Sequence, residues 1–125
     1  MFKLSLILVL ISSSINLSAQ SKIDSNILFK KTEHSFGKVK QNKPVTISFP
    51  FTNISSGKVY IEDATAECGC TKPTFPMQPI GAGKGGEIKV TYDAANLGSF
   101  TKKVTVKLVN VAEPKILTIK GEVVK

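Results

Sequence analysis

The sequence predicts an all-β fold, an immunoglobulin-like β-sandwich of six to seven strands. Apolar and polar residues alternate almost everywhere after residue 44, which is the period of strands with one buried face. Turns rich in glycine, proline and asparagine separate these runs at short intervals, as in a sandwich of short strands. No segment has a convincing helical period, so helical and mixed folds are not expected.

Residues 1–19 are predicted to be a secretory signal peptide. Lys3 precedes a short apolar run over residues 4–11, and Ala19 offers a small residue for cleavage. The run is too short for a membrane anchor, which needs ~20 apolar residues. We therefore expect a periplasmic or secreted chain that does not span a membrane. A short linker is expected over residues 20–26, followed by the sandwich domain over 27–125.

The first half of the domain predicts short strands. Residues 27–39 can hold one or two of them, with Gly37 at a turn. The run over 45–51 places its apolar residues on one face, as a half-buried strand does. Pro50 lies within that run and has no N–H to donate. The strand is therefore expected to be an edge, or to carry a bulge, at Pro50.

Four strands follow. One begins at Val59, another covers residues 88–92, and a longer one covers 100–108. Lys102 falls on the apolar face of the longer strand, which a bulge or a position at the rim of the sandwich would explain. The last strand covers 117–123. Because tryptophan is absent and the two cysteines are too close to bridge two sheets, an antibody-type core is excluded.

The charge is basic but does not indicate nucleic-acid binding. The 17 basic residues, all lysine, face 9 acidic ones, for a net charge of +8. Loss of Lys3 with the signal peptide lowers this to 16 − 9, or +7. Arginine, the preferred residue for phosphate and base contacts, is absent. We interpret the lysines as groups that solubilise strand faces and protect sheet edges.

Three further motifs have structural explanations. The segment 81–86 (GAGKGG) superficially matches a phosphate loop, but Gly85 replaces the required Ser or Thr and a strand follows. The sequon at 53–55 (NIS) consists of ordinary turn-forming residues. His34, the single histidine, has no acid/base partners nearby in the sequence. We therefore expect two turns, a strand-end histidine and no catalytic site.

Cys68 and Cys70 are the only cysteines. In a straight strand their side chains would be roughly 6.5 Å apart, whereas a disulfide needs Cβ atoms roughly 3.5–4.5 Å apart. Gly69 can adopt dihedral angles that fold the pair together. Such a bridge would close a minimal loop, stabilise the fold little and be easily reduced. A loop-shaping disulfide, a pair of half-buried thiols, a redox pair and a metal site therefore all remain open.

The metal alternative uses Cys68, Cys70 and Met77, a soft ligand set suited to Cu(I). It falls short of the four ligands of a structural zinc site, so we expect no metal and no cofactor.

The irregular segment 66–86 is expected to carry the function, because long loops on a rigid scaffold usually do. Its first part, residues 66–80, would form a contact surface shaped by the cysteines. Phe75, Met77 and Ile80 are the candidate apolar anchors of this binding loop. Phe75 and Met77 could equally cap the core. Pairing of an edge strand with a partner is a second binding mode.

The chain resembles the bacterial exported family known as domain of unknown function 1573 over nearly the whole mature sequence. The matching stretches are 36–39 (FGKV), 45–53 (VTISFPFTN), 66–71 (AECGCT), 79–83 (PIGAG), 88–93 (IKVTYD) and 119–123 (IKGEV). The resemblance implies an immunoglobulin-like sandwich similar to pilus-chaperone and sperm-protein type modules, and it implies no activity. Cys68 and Cys70 are the family's hallmark, without a role. Residues 81–84 depart from the family's more usual proline-glycine turn.

We therefore expect an exported binding or assembly module without catalysis. Its partner would be a protein or another component of the cell envelope, and not a nucleic acid. The alternative is a thiol redox or Cu(I)-binding protein that uses the Cys-Gly-Cys loop.

Overall fold

A computed structural model describes residues 23–125, which form eight strands in two four-stranded sheets. The strands are β1 (Ile27–Phe29), β2 (Glu33–Lys40), β3 (Val45–Asn53), β4 (Ile61–Ala66), β5 (Thr71–Thr74), β6 (Gly85–Tyr92), β7 (Gly98–Leu108) and β8 (Lys115–Val124). A single 3-10 turn, Ile23–Ser25, precedes them. The predicted signal peptide lies outside the described residues. No helix within residues 23–125 has the length and apolar character needed to cross a membrane.

The first sheet has the order β1-β3-β6-β5 and the second the order β2-β8-β7-β4. Neighbouring strands are antiparallel except β2, which runs parallel to β8. This division matches the ABED and CFG sheets of an immunoglobulin-like domain, with β2 added beside the last strand. The prediction of an all-β immunoglobulin-like sandwich is confirmed, with one strand more than the upper count expected. The short β5 lies inside the segment that lacks alternation, so periodicity does not reveal it.

The core lies between the sheets and consists of the inward-facing residues of alternating strands. The largest fully buried apolar side chains are Phe49, Ile27, Ile88, Leu108, Leu117, Ile119, Val90, Val104 and Val106. Each such side chain contributes about 1.5–3 kcal/mol through removal from water. Ile23 is only 2% exposed and belongs to the same core. The folded domain therefore includes part of the predicted linker.

Pro50 ends the pairing of β1 with β3. The backbone N–H of Lys30 donates to the carbonyl of Pro50 at 3.2 Å. An antiparallel pair would exchange a second bond here, but Pro50 has no N–H to return it. The ladder therefore stops at Phe29, and β3 is locally an edge, as the sequence predicts.

Two other irregularities differ from expectation. Gly37 lies in a bulge inside β2, between the register positions of Ser35 and Lys38, and not at a turn between strands. Lys102 is half-buried in β7, and the register of β7 with β8 runs unbroken past it. A bulge at Lys102 is therefore excluded.

Candidate functional site

Cys68 and Cys70 lie in the turn that carries the chain from β4 in one sheet to β5 in the other. Their sulfur atoms lie at disulfide-bonding distance, and their Cα atoms are 5.3 Å apart, within the usual range for a disulfide. The N–H of Thr71 donates to the carbonyl of Cys68 at 3.3 Å and closes the turn. The N–H of Asp93 donates to the carbonyl of Cys70 at 2.9 Å. The pair is therefore held in a bonded turn at the junction of the two sheets.

Gly69, between the cysteines, does not use the left-handed backbone region that only glycine adopts easily. A Cβ atom placed on it would have no neighbour within 4 Å. Closing this turn therefore does not require a positive φ at Gly69.

The two sulfurs have different surroundings. The side chain of Cys70 packs against the hydrophobic core, whereas that of Cys68 is not part of that cluster. Thr71 is 3% exposed, and its hydroxyl lies 3.6 Å from Cys70 Sγ and 4.0 Å from Cys68 Sγ. Behind it, the cross-strand neighbour Tyr92 stacks on Phe100 with ring centroids 4.0 Å apart. The disulfide therefore has one side toward the core and a buried hydroxyl against it.

Two neighbouring connections are tied to each other at the same end of the sandwich. Asn42 donates its N–H to the carbonyl of Ala94 at 2.9 Å, and Gln41 Nε2 donates to the carbonyl of Ala95 at 3.0 Å. We call the set of connections 41–44, 67–70 and 93–97 the cysteine end. The bond from Asp93 to the cysteine turn joins all three connections. The cysteine end is therefore ordered by its own backbone before any partner binds.

The structure does not bring the expected binding-loop residues together with the cysteines. Phe75, beyond β5, is half-buried against the core and lines a groove of about 270 Å³. Met77 is 83% exposed. Ile80 is 7% exposed and exchanges backbone hydrogen bonds of 2.8 and 2.9 Å with Val59. Ile80 is therefore a core residue and not a surface anchor, while Met77 is free to contact a partner.

Asn53 organises the opposite end, where β3 ends. It is fully buried, and its Nδ2 donates to the carbonyls of Gly57 and Ile80, each at 2.8 Å. Its Oδ1 accepts from the N–H and the hydroxyl of Ser55 at 2.9 and 2.7 Å. The sequon is thus a turn, as expected, and its amide is occupied. In the sequence, the feature that could have predicted this network is an Asn-x-Ser turn directly after an apolar run.

A second groove, which no sequence pattern predicts, lies at this opposite end. It has a volume of about 290 Å³ and is lined by Asn26, Lys58, Val59, Tyr60, Leu108, Val109, Asn110 and Val111. Tyr60 and Val109 are among the exposed large apolar residues. Their proximity depends on the pairing of β4 with β7, which the sequence does not specify.

Each outermost strand carries a feature that hinders the addition of a further strand. β1 has three residues, β5 has four and contains Pro73, and β2 and β4 each contain a register shift. Lys38 and Lys40 add exposed charges to β2. Pairing of an edge strand, the second binding mode considered, therefore has no long regular edge to use among the described strands.

Residues 23–125 contain no group of three or more His, Cys, Asp or Glu side chains that could hold a metal ion. β5 separates Met77 from the disulfide along the chain. His34 lies elsewhere, with its ring edge against Phe36 and with Lys31 Nζ 3.1 Å from its Nδ1. Burial, and then the charge of Lys31, lower the pKa of His34 below its ordinary value of 6.5. Both effects favour the neutral form of the imidazole.

A family model described as "Protein of unknown function (DUF1573)" matches residues 27–123. No curated protein matches the chain.

Several solved structures share the fold. A protein of unknown function from Porphyromonas gingivalis W83 is 12% identical, with a TM-score of 0.66, over 86% of this chain and 50% of that one. PapD-like domain 7 of human CEP192 is 6% identical, with a TM-score of 0.69, over 81% of this chain and 87% of that one. The CupB2 chaperone of Pseudomonas aeruginosa is 11% identical, with a TM-score of 0.56, over 76% of this chain and 54% of that one. The chain thus spans about half the length of the Porphyromonas protein, and at these identities the likeness concerns the fold alone.

Proposed function

The chain belongs to the DUF1573 family of proteins of unknown function, and we propose that it is an exported binding or assembly module that contacts its partner through loops. The partner is a protein or another component of the cell envelope, and the module performs no catalytic turnover. The N-terminal signal pattern supports the export part of this proposal. The likeness to a bacterial chaperone, a class of protein that binds other proteins, supports the general role.

One observation carries this proposal: the exposed large apolar side chains of the described residues lie mostly outside the strands. They are Leu28, Ile54, Tyr60, Met77, Leu97, Val109 and Ile116. Five of these seven residues, all except Leu28 and Ile116, belong to connections between strands. Because the sheet edges are short or interrupted, contacts through loops are favoured over strand addition.

The ordering of the cysteine end supports the same proposal. Association costs less when the contacting loops are already fixed. The backbone hydrogen bonds among connections 41–44, 67–70 and 93–97 provide such fixation. Leu97, 48% exposed, is the apolar side chain that this end offers.

Site-specific photocrosslinking in the native envelope tests the proposal. A photoreactive amino acid replaces Met77 or Leu97 in the loops, Ser35 in edge strand β2, or Lys103 on an outer sheet face. We expect a discrete adduct from at least one loop position and none from Ser35 or Lys103. Adducts confined to Ser35 would indicate strand addition, and equal labelling from all four positions would indicate no specific contact. Either outcome would refute loop-mediated binding.

A further inference from the structure

We propose that the Cys68–Cys70 disulfide is a thiol-exchange site, at which an external thiol attacks Cys68 and the hydroxyl of Thr71 stabilises the departing sulfur of Cys70. This chemistry goes beyond the proposed binding function and does not depend on it. The thiol can belong to a small molecule or to a cysteine of a protein.

The position of each sulfur decides which one is attacked. Cys70 is half-buried like Cys68, but its side chain packs against the hydrophobic core, which restricts the approach of an incoming group from that side. Cys68 is half-buried, lies outside that cluster and sits in a surface turn. Thiol–disulfide exchange depends on access to the attacked sulfur. Cys68 therefore receives the nucleophile, and Cys70 is the leaving group.

The surroundings of Cys70 suit a leaving thiolate. The Thr71 hydroxyl is buried, and its hydrogen-bond partners in the structure are the two sulfurs, with Cys70 Sγ the nearer at 3.6 Å. A hydroxyl placed there can donate to the negative sulfur as the bond breaks. A hydrogen bond to a charged group is worth about 1.5–3 kcal/mol. A leaving thiol of lower pKa departs faster.

The reaction balances with two external thiolates. The first forms a bond to Cys68 Sγ, the bond between the cysteines breaks, and its electron pair leaves on Cys70 Sγ. The second attacks the external sulfur of this mixed disulfide and releases Cys68 as a thiolate. The external thiols are oxidised to their disulfide, and the protein is reduced by two electrons to the dithiol.

The first test maps the mixed disulfide in the wild-type protein. The protein is mixed with reduced glutathione, quenched in acid after a short time and digested. Tandem mass spectrometry then locates the glutathione. We expect it on Cys68. Glutathione on Cys70, or no mixed disulfide and no reduction at millimolar glutathione or dithiothreitol, would overturn the proposal.

The second test isolates the hydroxyl. Thr71→Val keeps the side-chain shape without the donor, Thr71→Ser keeps the donor, and Thr74→Val is a matched control at an exposed position of the same strand. We expect reduction by dithiothreitol to slow about tenfold in Thr71→Val, in line with one lost charged hydrogen bond. The other two variants should react at the wild-type rate.

Circular dichroism verifies that each variant is folded. An unchanged rate in folded Thr71→Val would refute the role of the hydroxyl. If that variant does not fold, the wild-type map still decides which sulfur is attacked. The pH dependence of alkylation separates this role from a merely structural one. In Cys68→Ser, the pKa of the Cys70 thiol should rise when Thr71 is also changed to Val.

Discussion

Replacing Asn53 by alanine should destabilise the domain far more than an ordinary turn substitution would. The change removes four hydrogen bonds: two donated by Nδ2 to the carbonyls of Gly57 and Ile80, and two accepted by Oδ1 from Ser55. Each buried bond is worth about 1 kcal/mol net. The Ile80 carbonyl keeps its bond from Val59. The single hydrogen of the Ser55 hydroxyl, which Oδ1 no longer accepts, can be donated to the Gly57 carbonyl 3.0 Å away. Four bonds lost and one regained leave a net loss of three, so the expected cost is about 3 kcal/mol, and not the larger cost of two orphaned carbonyls.

Asn53→Asp is a more specific test because the aspartate side chain has nearly the same shape as that of asparagine. It places a second oxygen where Nδ2 now lies 2.8 Å from two carbonyl oxygens. Burial and these oxygens should raise the pKa of the new carboxyl in the folded state above its unfolded value of about 3.9. The unfolded chain then ionises first as the pH rises. The penalty relative to wild type should therefore grow from pH 4 to pH 7 and shrink as the pH falls.

Urea unfolding measures both effects, with wild type at the same pH as the reference. Ser55→Ala is the matched control. It loses only the hydroxyl's part of the network and should cost about 1 kcal/mol. A loss below about 1 kcal/mol in Asn53→Ala, or a penalty in Asn53→Asp that does not vary with pH, would show that the network is not organised as described.

Three further outcomes follow from the fold. Gly121→Ala should lower the free energy of unfolding in urea by about 1–3 kcal/mol, since its Cβ would lie 2.8 Å from Phe100 Cζ and 2.9 Å from the Gly37 carbonyl oxygen. The control Gly57→Ala, where a Cβ has open space, should stay within about 0.5 kcal/mol of wild type. Equal losses of stability in the two variants would contradict this packing. The pKa of His34 is lowered in the folded state, so its contribution to stability is present above pH 6.5 and is lost as the pH falls through the folded pKa. His34→Gln should remove this part of the pH dependence of the melting temperature. An unchanged pH profile in His34→Gln would exclude this contribution. Replacing both cysteines by serine should lower stability by only about 1–2 kcal/mol because the closed loop is minimal, and loss of cooperative unfolding would show that the disulfide is needed to fold.

The sequence predicts the architecture well because alternation reports which side of a strand is buried. It identifies β3, β6, β7 and β8, and the missing N–H of Pro50 correctly predicts a local edge. The short β5 is missed because four residues that include a proline give no usable period.

The site is harder to predict from sequence. Proximity of residues 66–80 along the chain suggested one surface, but β5 carries the chain from the cysteine end toward Asn53. Ile80 thus enters the core through its bridge to Val59. The position of the Thr71 hydroxyl beside the sulfurs depends on side-chain directions, which periodicity does not give.

The central place of β8 in its sheet has a consequence for biosynthesis. β8 pairs with β2 on one side and with β7 on the other, so neither pairing can form until the ribosome has made residues 115–124. Until then β2 and the β4–β7 pair have no strand that joins them into one sheet. All four strands of the first sheet are made by residue 92, so the second sheet is the later of the two to be completed.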